Sequence, residues 1–331
     1  LQPPVRSGQL SPQENVALHT NWPKLDYAQW QETCSALQLY TQIVGKYRLA
    51  RTPWVNHSWH ATFYVTPRGL TTSLIPDGPG IEIVFDFISH KVVGTGGDGR
   101  TASFALTPTT VAKFYDTFTA MITELGGNAR YDRHPNEVPS PVPFDEDHVE
   151  RPYDSDAVER YHQALLSIDR VFKRFRTAFL GKCSPVHLFW GSFDLAVTRF
   201  SGRRAPLHAG GVPAMPDEVA QEAYDREVSS AGFWPGGNGT ENAAFYAYIY
   251  PEPDGFADAE VRPAAASWNT DLGEFILPYE AVRTAEDGDA ALLAFLRSTY
   301  VAAASLADWD RDLLECDLGD PGTVRSPDPH P

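Results

Sequence analysis

A chain of 331 residues, 42% of them hydrophobic, is long enough for two ordinary domains or one large one, and apolar content does not limit its core. Its formal net charge of −16 repels phosphate backbones and anionic lipid surfaces, so neither nucleic acid nor membrane is expected as a partner. The three cysteines, Cys34, Cys183 and Cys316, are far apart and lack the CxxC spacing of zinc and redox sites, which fits a reducing cytoplasm.

Residues 1–20 are polar and proline-rich and read as a flexible segment, with no signal-peptide pattern. A first unit spans 21–132. From Asp26 to Arg48 the residues Tyr27, Trp30, Cys34, Leu37, Thr41 and Val44 recur at steps of three and four, the stripe of an amphipathic helix, with Asp26 and Gln29 placed as a capping box. The stretch from Val55 to Arg68 reads as a strand, and Ile81–Phe87 and Thr101–Leu106 as two more. Between them Gly94-Thr-Gly96-Gly-Asp-Gly99 satisfies GxGxxG, but a strand pattern follows where a dinucleotide fold needs a helix, so a hairpin is expected. A helix carrying Val111, Phe114, Phe118, Met121 and Leu125 closes the unit.

Residues 133–152 are rich in proline and acid and read as a linker over the surface. A second unit, 153–315, opens with a helix through Val158, Tyr161, Leu165, Ile168, Phe172 and Phe175, each 131 residues beyond its counterpart in the first. The same offset lays Val55 on Val186, Trp59 on Trp190 and Arg68 on Arg199, through a second strand. An insert over 201–242 follows, with a short helix expected from Pro216 to Val228 and then a glycine-rich run. In that insert Ser229 to Asn242 reads as a lid, with Trp234 as its face. Strands at Ala243–Tyr250 and Glu274–Leu277 lead to a helix through Leu292, Phe295, Thr299 and Ala303, interrupted at Asp287-Gly-Asp289. Residues 316–331 read as a flexible tail. The fold class is therefore α+β, two tandem helix–strands–helix repeats with antiparallel sheets.

Within the strand Val186–Thr198 neither face is polar enough for solvent. The repeat register sets Asp194 where the first unit has core-facing Phe63. A buried carboxylate is costly unless it is paired or used, so Asp194 should meet a basic side chain or histidine, beside a cavity if it acts on a substrate. Cys183 and His187, four apart, could share a face as thiolate and imidazole. His57 and His60 alternate to opposite faces of a strand, so a metal site with His187 would need a bulge.

The string Gly181-Lys-Cys-Ser-Pro-Val-His-Leu-Phe-Trp-Gly-Ser-Phe-Asp-Leu-Ala-Val-Thr-Arg-Phe-Ser-Gly-Arg203 resembles the signature of a bacterial family of unknown function. Thr41-Gln-Ile-Val-Gly-Lys46, Glu227-Val-Ser-Ser-Ala-Gly-Phe-Trp-Pro-Gly236 and Tyr248-Ile-Tyr-Pro-Glu-Pro253 extend the resemblance over most of 21–315. It implies one coherent unit and brings no activity with it.

The residues themselves point to an enzyme without a cofactor, acting on a small polar or aromatic metabolite in a pocket of the second repeat. His187, Asp194 and Cys183 are the candidate catalytic groups, and Arg68, Arg199, Trp190, Glu227 and Trp234 the candidate binding groups. The alternative is a protein that binds a small molecule or a partner without turning anything over.

Overall fold

The computed structural model describes residues 22–316 apart from 213, 238 and 239, so the segments expected to be flexible lie outside it except for Cys316. Helix α1 (Tyr27–Arg51) is buried well beyond its apolar stripe: Gln42, Lys46 and Arg48 are enclosed together with Leu37, Tyr40, Val44 and Tyr47. The expected capping box is partial. Asp26 makes no side-chain bond to the helix backbone; its carboxylate instead accepts from the Gln29 side chain at 2.9 Å.

After α1, a 3₁₀ turn (Asn56–Ala61) occupies the start of the stretch expected as a strand, with His57 and Ser58 in the left-handed region. Buried Arg48 fixes this crossing by donating to the carbonyl of His60 at 2.8 Å and to those of Thr62 and Thr72. An antiparallel meander follows: β1 (Tyr64–Thr66), β2 (Gly69–Thr71), β3 (Ile81–Asp86), β4 (Lys91–Gly96) and β5 (Thr101–Ala105). The GxGxxG run is the β4–β5 hairpin, as its alternation requires. The two-residue strand β6 (Thr109–Thr110) leads into α2 (Val111–Glu124), which Thr110 caps by accepting from the amide of Lys113.

The segment read as a surface linker returns across the body before β7 (Glu150–Arg151) pairs with β6, and its Phe144 is fully buried. Helix α3 (Ser155–Arg176), capped by Asp154, opens the second half. The strand expected without a break over 186–198 is a hairpin of β8 (His187–Phe189) and β9 (Asp194–Arg204), in which Phe189 faces Asp194. The turn between them includes Gly191 and places Phe193 at φ 55°, which reverses the chain.

Helix α4 (Asp217–Ala223) ends earlier than the sequence suggests, because the chain becomes extended at β10 (Arg226–Trp234). β10 pairs with β9 on one side and with β11 (Ala244–Tyr250) on the other. Residues 229–234 are thus a central strand rather than a lid, since Ser-Ser-Ala-Gly offers small side chains between the larger ones of its neighbours. β12 (Ser267–Asn269) and β13 (Glu274–Pro278) complete a second sheet of order β12-β13-β11-β10-β9-β8. The chain ends in α5 (Tyr279–Arg283), α6 (Gly288–Leu306) and α7 (Arg311–Leu314), with the break between α5 and α6 where Asp287-Gly-Asp289 was read as an interruption.

The architecture is α+β with antiparallel sheets. The first sheet is a meander of β1 to β5, the second sets β12 outside β13 at its edge, and the two sheets meet edge to edge. There the amide of Phe63 donates to Leu188 at 2.9 Å and that of Leu188 donates back at 2.8 Å. On the second sheet Leu195, Val197, Phe233, Phe245 and Leu277 form an apolar face inside the core, and α3 and α6 pack on this sheet. The opposite face remains open to a cavity. Among the described residues no helix is long and apolar enough to cross a membrane.

Candidate functional site

Strand alternation sends every second residue of β9, β10 and β11 toward that cavity, whose volume is about 650 Å³. Asp194 lies at the start of β9, 4% exposed, and both its oxygens accept from hydroxyls, Oδ1 from Ser192 and Oδ2 from Tyr246. Tyr246 reaches it from β11 by crossing over Gly232 of β10; a Cβ on Gly232 would stand 2.3 Å from the tyrosine ring. A second chain of hydroxyls crosses the sheet one step further along. Thr198 bonds Ser230 at 2.8 Å, and Tyr248 bonds Tyr224, just beyond α4, at 2.9 Å. Trp234 lies against Tyr246 with ring centroids 4.3 Å apart and planes tilted by 30°.

The walls come from the first half. Gly45 on α1 leaves room for the Trp190 ring, which would otherwise meet a Cβ at 2.3 Å, and the Trp190 indole donates to the carbonyl of Ala61 at 2.8 Å. Gln38 holds the β8–β9 turn by donating to the carbonyl of Gly191 at 2.6 Å. Gln42 grips the backbone of Asn136 from both sides, donating to its carbonyl and accepting from its amide, each at 2.8 Å. That clamp delivers the next residue, Glu137, whose backbone lies in the left-handed region at φ 56° and whose carboxyl packs on Gly191 where any Cβ would collide. His57, Ser58 and Trp59 of the 3₁₀ turn line the cavity as well, and α4 covers it through Val219, Ala220 and Ala223. A neighbouring cavity of about 630 Å³, bounded by Tyr27, Cys34 and Gln38, shares Glu137 with the first.

Glu274 enters from β13, so besides Asp132, which pairs with Lys46, three carboxyls line the cavity: Glu137, Asp194 and Glu274. Burial raises all three above the usual carboxylate range. It pushes Glu137 up to about 7 and Glu274 up to about 8, in each case with the neighbouring Asp194 carboxylate adding repulsion. For Asp194 burial dominates over the two hydroxyl donors, which act the other way. Among the described residues neither Glu137 nor Glu274 has an ion-pair or hydrogen-bond partner, and Oε2 of Glu274 is buried without one. Lys46 and Asp132, both on the cavity wall, pair with each other at 2.8 Å, and Lys182 donates to the His57 ring at 2.6 Å.

A family of unknown function (DUF5996) matches residues 22–316, which takes in every described residue. The chain belongs to that family. No curated protein and no solved structure matches it. The family match carries no chemistry, so the geometry of the cavity is the material for a functional reading.

Of the residues singled out in the sequence, Asp194, Trp190, Trp234 and His57 line the cavity. The others lie elsewhere. His187 is fully buried, its Nδ1 on the Pro185 carbonyl at 2.7 Å, and burial depresses its ring to about 4, so it is neutral near pH 7. Cys183 bridges Arg199, and burial raises its thiol, which disfavours a thiolate. Arg199 points to the opposite face of β9, its guanidinium 3.6 Å from the Phe175 ring centroid and 4.3 Å from that of Tyr300. Arg68 ties down Asp86, and Glu227 pairs with Arg203 at 2.7 Å. His60 bonds Val55 within its own turn, so the three histidines do not converge, and among the described residues no group of three or more His, Cys, Asp or Glu could hold a metal ion. The partner expected for Asp194 was basic; two hydroxyls take that place.

Sequence reading missed Glu137 and Glu274. Glu274 carried a signal: in Glu-Phe-Ile-Leu the core residues Phe275 and Leu277 alternate with 274 and 276, placing a carboxylate on the face of Tyr246 and Tyr248. Glu137 carried none, because its position depends on a clamp from Gln42, 95 residues earlier.

Proposed function

We propose that the cavity on the second sheet is the active site of an enzyme that moves protons on a small, partly aromatic or apolar molecule, in a reading that invokes no cofactor. The observation that carries it is the pair Glu137 and Glu274: two carboxyls in one cavity without partners among the described residues, their proton affinities lifted into the neutral range at about 7 and about 8. General acid–base groups work best when their proton affinity lies near the working pH. Two such groups on one cavity can supply a proton and accept one. Asp194, with both oxygens already bonded, orients Tyr246 and keeps the charges of its neighbours in check. Trp59, Trp190 and Trp234 provide the apolar surface that would hold the substrate's body.

We read the two halves as divergent copies of one helix–meander–helix unit, and this supports a site in the second. There the sheet face carries polar groups and an extra covering helix, α4. A binding protein without turnover is the second reading, favoured by the saturated hydrogen bonding of Asp194. Compounds that raise the unfolding temperature of the wild type should be incubated with it and with Glu137→Gln and Glu274→Gln. Turnover that the variants lose while remaining folded supports the enzyme; stable binding of every hit with none converted leaves the binder.

A further inference from the structure

We infer that the molecule this cavity accepts carries a positive charge, a protonated amine or amidine on an apolar or aromatic body, seated with its cation among Glu137, Asp194 and Glu274. This rests on the cavity being a ligand site, as proposed above. Four acidic side chains line it; Asp132 pairs with Lys46, and among the described residues no basic side chain pairs with Glu137, Asp194 or Glu274. Glu137 and Glu274 each have another carboxylate, Asp194, as their electrostatic neighbour. Unpaired carboxylates in a desolvated place are costly, and a ligand cation relieves that cost, whereas an anion compounds it.

Second, the walls are suited to a cation and its body. Trp234 and Tyr246 lie 4.3 Å apart with their planes tilted by 30° and both rings on the cavity; Trp59 faces it from the first half and Trp190 from the β8–β9 turn, with Lys182 and Lys46 already 5.1 Å and 5.8 Å from their respective rings. Indole and phenol faces attract ammonium and guanidinium groups. Among the described residues, two polar atoms there have no hydrogen-bond partner, Glu274 Oε2 and Trp234 Nε1. The basic groups near the far wall do not reverse the sign: Lys46 is engaged by Asp132, and the His57 ring, depressed by burial, accepts the Lys182 ammonium.

The test is titration calorimetry on the intact chain with three probes of one shape, benzylamine, benzyl alcohol and benzoate. Benzylamine should bind at least about tenfold more tightly than either of the others, the ratio expected for one charge-assisted contact. Its affinity should rise about tenfold between pH 6 and pH 8.5, with protons released to the buffer, because the cation favours the ionised carboxyls. Glu137→Gln and Glu274→Gln together should abolish the preference while leaving the weak binding of benzyl alcohol. Equal or tighter binding of the alcohol or benzoate would overturn the cation and leave the cavity as a ligand site. No binding by any probe at millimolar concentration would overturn the cation together with the proposed site.

Discussion

Replacing Glu274 by glutamine should make the protein more stable at alkaline pH and leave it unchanged at acidic pH. The folded carboxyl is raised from 4.5 to about 8 by burial and by Asp194, so between those values the native state holds a proton that the unfolded chain has released. Native stability therefore falls as pH rises through that window and levels off above about 8, the reverse of a carboxylate held by a cation. At ~1.4 kcal/mol per pH unit the full effect would be about 5 kcal/mol, an upper bound. Cavity water and the partial exposure of the side chain screen it to about 2 kcal/mol. Glutamine cannot ionise and escapes this loss. At ~2–4 °C per kcal/mol for a chain of this size, Glu274→Gln should unfold about 4–8 °C higher than wild type near pH 9 and within about 1 °C of it near pH 5. Scanning calorimetry of both proteins across that range reads the difference directly. A variant that is less stable at pH 9, or a difference that does not change with pH, would refute the unpaired, buried carboxyl.

Glu137→Gln should follow the same course with its rise centred nearer pH 7. Asp194→Asn should cost no more than about 1 kcal/mol in chemical denaturation near pH 7, since hydroxyls rather than a cation hold it; a loss of about 3–5 kcal/mol would reveal a buried ion pair instead. Gly232→Ala should lose about 1–3 kcal/mol because its methyl occupies the path of Tyr246, and Tyr246→Phe in the same background should recover only part of it, since ring carbons and hydroxyl stand equally close. Gly45→Ala sets the helix preference for alanine, about 1 kcal/mol, against collision with Trp190, so a net gain in stability would show that the indole does not lie on α1. Gln42→Ala should speed proteolysis within 133–140 by removing both bonds to Asn136.

The parts of this architecture that were legible in the sequence are those set by local periodicity. The stripes through Leu37 and Leu165 became α1 and α3, the alternation after Gly99 became β5, and Asp287 stands at the N-terminus of α6, where its side chain accepts from the amide of Ala290. Asp194 was conspicuous for a physical reason that holds without the repeat: a charge inside an apolar strand pattern. The misreadings arose where tertiary contacts override local pattern. Residues 186–198 alternate like one strand, yet a turn at Gly191 and Phe193 folds them into a hairpin, and the glycine-rich stretch before Trp234 is a central strand because Tyr246 needs Gly232 beneath it. Arg199 was read as a candidate binding group; it instead points away from the cavity, as odd-numbered residues of β9 must.

Half of the eight described non-glycine residues with positive φ stand at this cavity or in the turn beside it. His57, Ser58 and Glu137, none of them glycine, all line it in the left-handed region, and Phe193 holds that conformation in the adjoining turn. Each such residue costs on the order of 1 kcal/mol or more and persists only where its surroundings enforce it. Those surroundings can be named. Arg48 fixes the carbonyls that end the His57 turn, Gln42 fixes the residue before Glu137, and Gln38 fixes the turn that contains Phe193. All three lie on α1, and polar side chains inside a helix that contributes so much to the core would be poor choices for stability alone. Their common effect is to hold three irregular segments against the second sheet, so that Glu137, carried by a segment whose composition reads as a linker, stands over Gly191 beside Asp194. The helix from the first half thus sets the geometry of the acidic cavity in the second.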